Sequence, residues 1–332
     1  MRQSRRAFLR AAAASSTLVA LSACGAAPAP PKVYHVGWLS SLTEASPGVD
    51  YLRQALRELG YVEGRNLSLD VRYTEGRNER FPIIAAELVA LRLDVIVTRA
   101  SQGVLALQQA TSSIPIVMAG GINDVVEAGF VASLARPGGN ITGVYGAASE
   151  IAGRRLQLLK EAVPTASRVA YVFDSSSDQQ VRNHQYSLSA AEALGIALLS
   201  YDVRTAPSVA DELGAAGSSH PDAIVVAGGA TRLQGEQQRV IDFLSSSRLP
   251  SMASGIRTWV EKGVLLFYDE NDADSIRNAA TYVDRILRGA NPADLPCAKA
   301  TKFDFVINLK TANAFGLKIP SSVLAQTSEQ IQ

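Results

Sequence analysis

Five short polar stretches carry residue types suited to holding a charged small molecule, and each follows an apolar run: Ser40-Ser41, Ser101-Gln102, Asn123-Asp124, Asp174-Ser175 and Gly228-Gly229. The last four each lead toward a segment with helical character. A helix start exposes N–H groups that have no partner inside the helix and carries the positive end of the helix dipole. Serine and glycine are small enough to let an anion reach those donors, so a carboxylate could be held there without a basic side chain. Asp174 or Asp124 could answer an ammonium group. The two together suit an amino acid or a related small zwitterion. Tyr268 and Trp38, at other strand ends, offer flat walls for an apolar or aromatic side chain. The same serines and aspartates would serve equally as helix N-caps, and the two aromatics as packing.

The other reactive residue types build no catalytic centre. His35, His184 and His220 are scattered and lack metal-ligand spacing. The sequence holds no G-x-S-x-G elbow, no G-x-x-x-x-G-K-[ST] loop and no H-E-x-x-H pair. "VVAGGATRLQG" is glycine-rich but does not match a dinucleotide fingerprint. The acids Asp269-Glu270 and Asp272/Asp274 read as a solvated helix start. Neither enzymatic turnover nor a metal or cofactor is expected.

The elements that must position these residues alternate along the chain. "VYHVGWL" (33–39) is an apolar strand. "VDYLRQALRELG" sets Val49, Leu52, Leu56 and Leu59 on one helical face, with Gly60 as its stop. "NLSLDVRY" alternates as a half-buried strand, and "FPIIAAELVALRL" is a helix that tolerates Pro82 only in its first turn. "DVIVTRAS", "QGVLALQQATSS" and "IPIVMAGG" continue as strand, helix and strand. A turn at "RPGGNITGV" (136–144) opens a second series of similar size, running from "EIAGRRLQLLKEAVP" to "RLQGEQQRVIDFLSSS". "GVLLFYDE", a long helix through "IRNAATYVDRILRG" and a final strand "KFDFVIN" complete the chain. Such alternation argues for two α/β halves, each with a parallel sheet between helices. Ligands of parallel α/β sheets lie beyond the carboxyl ends of the strands, where the five polar stretches fall.

The first 23 residues differ in kind. Arg2, Arg5, Arg6 and Arg10 come without an acid, followed by a short apolar stretch that ends in small residues, the pattern of a secretory signal peptide. Ser4 to Arg10, with Arg5-Arg6 at its centre, resembles a twin-arginine export signal. Leu21-Ser22-Ala23-Cys24 resembles a lipobox, in which Cys24 becomes the acylated N-terminus. Two or more acyl chains, at about 0.8 kcal/mol per buried CH₂, hold a protein on a membrane where one chain does so only marginally. "AAPAPPK" (26–32) lies in an extended tether over 24–32. Without residues 1–23 the basic count falls from 32 to 28 against 31 acids, a mildly acidic surface with nothing to attract nucleic acid. Cys297 is then the only other cysteine, so stability must come from the core and not from disulfides.

"ALRELGYVEGRNLSLDVRYTEG", "PGGNITGV" and "ATYVDRILRGANPADLPCAKATKFDFVINLKTANAFGLKIP" resemble the ABC transporter solute-binding proteins of the family that includes tryptophan- and tyrosine-type binders, over roughly residues 33–325. The resemblance implies a type I periplasmic-binding-protein fold, with two Rossmann-like lobes joined by hinge strands and a ligand held in the cleft. It places lobe 1 at 32–142 plus 256–290 and lobe 2 at 143–255 plus 291–332. It also implies a monomeric, extracytoplasmic, lipid-anchored protein that delivers a small ligand to an ABC permease and its ATPase. A ligand-sensing lipoprotein feeding a sensor kinase or chemoreceptor is the alternative. Where the family often reads Asp-Pro-Val after the "IPIV" strand, this chain reads "GGINDVV", a departure in which Asn123-Asp124-Val125 keeps the acid in a shifted position.

Overall fold

Runs of valine and isoleucine such as Val95–Thr98, Ile116–Ala119 and Ala223–Val226 are buried along their whole length. That is the condition of a strand whose sheet is covered by helices on both faces. A computed structural model of the chain describes residues 32–41, 47–176, 178–229 and 231–332. Arg5, Arg6 and Cys24, which carry the export and anchoring expectations, lie outside the described residues.

The described strands form two sheets. The first takes β1 (Tyr34–Ser40), β2 (Leu67–Tyr73), β3 (Val95–Thr98), β4 (Ile116–Ala119) and β5 (Ile141–Tyr145). The second takes β6 (Arg168–Phe173), β7 (Ala197–Asp202), β8 (Ala223–Val226), β9 (Ser251–Ala253) and β10 (Leu266–Glu270). The chain then returns to the first sheet for β11 (Ala298–Lys299) and ends in the second with β12 (Phe303–Asn308) and β13 (Glu329–Ile331). The orders are β11-β5-β4-β3-β1-β2 and β13-β12-β10-β9-β8-β6-β7. All pairings in the first sheet are parallel. In the second, β10 and β12 are antiparallel. The chain leaves the sheet at the end of β10 and re-enters from the same side, so β12 must run back along it. β2 and β7 are edge strands, and apart from Leu67 none of their residues is fully buried.

Helices cover both faces of each sheet. α1 (Gly48–Glu58), α2 (Phe81–Ala90) and α3 (Ser101–Ala110) pack on the first sheet. α4 (Ala148–Ala162), α5 (Asp178–Ala193), α6 (Val209–Ser218) and α7 (Gln237–Ser247) pack on the second. α1 buries Val49, Leu52, Ala55 and Leu56, and Pro82 sits in the first turn of α2. α8 (Asp272–Leu287) follows a strand of the second sheet but packs Ile276, Ala279 and Val283 against Val36, Trp38 and Val117 of the first. A fully buried side chain of this size adds about 1.5–3 kcal/mol, so α8 belongs firmly to lobe 1.

The stretch 256–290, expected as part of lobe 1, is therefore divided. The short helix Thr258–Glu261 and β10 sit in lobe 2, and only α8 joins lobe 1. β5 also runs beyond the expected boundary at 142, and β11 returns to lobe 1 within 291–332. The chain crosses between lobes at 145–148, 270–272 and 299–303. No described helix is long and apolar enough to cross a membrane.

Candidate functional site

The three crossings bring the ends of β1, β3, β4, β6, β8 and β10 around one cleft of about 170 Å³ between the lobes. Ser40, Ser41, Ser101, Gln102 and Asn123 line it from lobe 1, and Asp174 and Gly229 from lobe 2. Trp38 also reaches it, although the residue is 2% exposed and its ring packs beneath Gly48.

Lobe 1 turns helix starts toward this space. Gly48 and Val49 open α1, and Ser101 and Gln102 open α3. Neither helix has a side-chain cap from its N-cap residue, Pro47 or Ala100. Their first-turn N–H groups are donors that the helix itself cannot satisfy. α4 differs, because Glu270 accepts from Ala147 N–H (3.2 Å) and Asn123 Oδ1 from Ala148 N–H (3.1 Å). Asn123 thus lines the cleft while spending its oxygen as a cap supplied from the other lobe.

Asp124 does not line the cleft. Its φ of 52° turns the loop after β4 away from helix. Its carboxylate accepts from Arg182 Nε (3.1 Å) and Tyr186 Oη (3.0 Å) on α5. The expected ammonium partner is instead a strut between lobes. Gln179 makes a second strut, accepting from Ser101 Oγ and donating to the Gly121 carbonyl (2.7 Å). Ser175 faces β7, where its N–H and hydroxyl both donate to Asp202. Gly228 is a packing residue, since a Cβ there would collide with the Ser254 carbonyl and the Trp259 indole. Tyr268 stacks on Phe303 with ring centroids 5.8 Å apart and does not line the cleft.

Six charged residues line the cleft: Arg99, Arg155, Asp174, Asp269, Glu270 and Asp272. The sequence reading passed over both arginines and treated the last three acids as solvated. Arg99, at the end of β3, pairs with Asp272 at 2.6 Å and donates to the Ala119 carbonyl. Arg155 on α4 pairs with Asp269 at 2.9 Å and donates to the Tyr268 carbonyl. Burial raises the Asp272 carboxyl against the opposing pull of Arg99. The side chain keeps 36% of its surface and lines the cleft. Glu270 is 5% exposed, and burial, with Asp269 beside it, pushes its carboxyl above the ordinary value of 4.5. The Gly121 N–H, at 2.8 Å, pulls it the other way. Asp174 is 3% exposed and accepts the Ser176 N–H at 3.0 Å. It has no cationic side chain beside it among the described residues. The partners of these acids lie up to 173 positions away, so local sequence carries no signal of them.

His184 lies outside the cleft, stacked on Phe173 at 4.1 Å with Ser200 Oγ at 2.6 Å. No cluster of three His, Cys, Asp or Glu residues that could hold a metal occurs among the described residues. The arrangement offers opposed donors and acceptors for a small bound molecule.

Known proteins bear on this geometry. The family described as ABC transporter substrate binding protein matches residues 40–331. A tyrosine-binding protein of Clostridioides difficile (strain R20291) is 31% identical over 142 residues, covering 42% of this chain and 40% of that protein. The chain therefore matches less than half the length of that relative. Among solved structures, an ABC domain from Streptococcus pneumonia in complex with L-Trp is 27% identical with a TM-score of 0.81, covering 90% of this chain and 100% of the other. A conserved domain protein from Vibrio cholerae is 26% identical with a TM-score of 0.78, at the same coverage. The two-lobed type I periplasmic-binding arrangement is common ground with these structures.

Proposed function

We propose a function from one premise: the chain belongs to the ABC transporter substrate binding protein family. It captures an α-amino acid between its lobes and delivers it to an ABC permease and its ATPase. The observation that carries this reading is the opposition across the cleft. Lobe 1 presents the starts of α1 and α3, whose N-cap residues Pro47 and Ala100 supply no side-chain cap, and lobe 2 presents the buried Asp174. An α-carboxylate suits the first and an α-ammonium the second. Since the ligand touches both walls, it stabilises the closed arrangement over any in which the lobes have parted.

Tyrosine and L-Trp, which related proteins bind, are the first candidates, with Tyr73 and the edge of Trp38 as walls for the ring. Residues 1–23 would direct export, and lipid on Cys24 would hold the protein at the membrane surface outside the cytoplasm.

Isothermal calorimetry with L-tyrosine, L-tryptophan and the other common L-amino acids tests the reading. Saturable one-to-one binding of at least one is expected, and a folded protein that binds none of them ends the proposal. For the anchor, Cys24→Ala should move the protein from the membrane to the soluble fraction, and unchanged membrane retention would rule out Cys24 as its attachment.

A further inference from the structure

Seven large apolar side chains stand exposed among the described residues, and five of them lie on three neighbouring segments of lobe 1. These are Ile83 on α2 with Leu91 just after it, Leu105 on α3, and Val126 and Leu134 in the loop between β4 and β5. α2 and α3 pack side by side, and both share with that loop one apolar core holding Ile84, Leu88, Val104, Leu107 and Val125. Gln108 on α3 also donates to the Gly129 carbonyl of the loop (2.8 Å). α2 reads "FPIIAAELVA" and is apolar on its outer side as well, where Pro82, Ile83, Ala86 and Ala90 are exposed. A helix that is apolar all round is normally buried all round. Charge is missing from the same surface. Segments 81–91, 101–110 and 125–135, 32 residues together, hold Glu87 and Glu127 as their only charged residues, although 19% of the whole chain is charged. Arg72 faces Glu87 at 3.6 Å. Depletion of charge at the centre with polar residues around it is the compositional mark of a protein–protein interface, and the exposed Arg92 and Arg136 border these segments.

We infer that this surface pairs with the same surface of a second copy of the chain, across a two-fold axis. A membrane surface draws helices whose polar side is rich in lysine and arginine, and no basic residue occurs in the three segments. A permease that responds to closure must touch both lobes, whereas this surface belongs to lobe 1 alone. A surface almost free of charge is complementary to itself, because a two-fold axis then brings no cluster of like charges together. α2 and α3 have ten residues each. Two such helices side by side offer a face of roughly 15 by 20 Å, and the loop widens it. That is small beside the ~800 Å² per partner of a standard interface, so the pairing depends on concentration, with a Kd of roughly 1–100 µM. It departs from the monomer that the family resemblance implies, and it holds or fails independently of the amino-acid reading.

Sedimentation velocity from about 1 to 200 µM tests the pairing, on the full chain carrying Cys24→Ala so that no acyl chain drives association. With the surface intact, the protein should shift from monomer to dimer across that range. Ile83→Asp combined with Leu105→Asp puts unpaired carboxylates into the contact and should weaken it by at least about a hundredfold, leaving a monomer throughout. Leu188→Asp, at an exposed leucine of α5 in lobe 2, should pair as the unaltered surface does. Near-ultraviolet circular dichroism checks that each variant is folded. An intact surface that stays monomeric at the highest concentration overturns the inference. So does a dimer that survives the double variant, and so does one that Leu188→Asp breaks equally. A monomer that co-sediments with phosphatidylethanolamine–phosphatidylglycerol vesicles, and loses that binding in the double variant, gives the surface to the membrane and overturns the pairing as well.

Discussion

The two walls of the cleft are built from the same unit, a strand end followed by a helix, but they present different groups to it. Lobe 1 turns backbone N–H groups at the starts of α1 and α3 toward the cleft, whereas lobe 2 turns the buried Asp174 toward it. Each acid on the lobe 1 side has a cation beside it, Asp124 with Arg182 and Asp272 with Arg99. Asp174 does not. Backbone donors survive any side-chain truncation, so mutations should hurt the two walls unequally. Asp174→Ala, which removes a buried carboxylate that has no ion pair among the described residues, should weaken amino-acid binding by about a hundredfold or more. Ser101→Ala removes only the hydroxyl that reaches Gln179 and should cost about tenfold. Calorimetry on both variants decides the point, and equal losses would break the contrast.

A second comparison lies within one loop. Asn123 and Asp124 are adjacent, yet the first caps α4 from inside the cleft and the second ties lobe 1 to α5 outside it. The Asp124–Arg182 side chains keep 21% and 24% of their surface, so solvent screens the pair and its worth is about 1 kcal/mol or less. Apparent affinity falls in proportion to the closed fraction. Arg182→Ala should therefore weaken binding only about two- to fivefold, although it touches no cleft residue. Tyr186→Phe, which keeps the ring and loses the second donor to Asp124, should have a still smaller effect. A double-mutant cycle with Asp124→Ala tests the strut itself, since fully additive losses would show that the two residues do not act together.

How far these walls could be read from sequence follows from the range of the interactions. Strands such as "VIVT" and "AIVV" were legible because a parallel strand buried on both faces must be apolar throughout. Ser101 and Asp174 were legible because the rim of such a sheet is where its strands end. The division of 256–290 between lobes was not, since it depends on β10 pairing with β9 in lobe 2 while the next helix packs on the core of lobe 1. Asp124 looked like a ligand contact until Arg182 and Tyr186, 58 and 62 positions later, came to face it. Gln180 and Asn183 line the cleft but sit in "QVRNHQYSLSAAEALG", a segment that reads as an ordinary surface helix.

Glu270 offers the smallest effect and the sharpest sign. It stands where the walls meet, accepting N–H groups from Gly121 and Ala147. Burial first, then Asp269, raise its carboxyl above 4.5, with those two N–H groups and Arg99 opposing. A carboxyl raised in the folded state binds its proton more tightly there than in the unfolded chain. Its contribution is then most favourable below about 4.5 and is lost as pH rises through the higher folded value. Glu270→Gln cannot ionise, so it should flatten the fall in melting temperature between pH 4.5 and neutrality, by about 1–3 °C. Asp272, raised by burial as well, keeps part of the slope in the variant. Melting curves of both proteins across that window measure the difference. An unchanged slope would mean that Glu270 titrates as an ordinary carboxyl, and that the meeting point of the walls is as well solvated as its acid-rich sequence suggests.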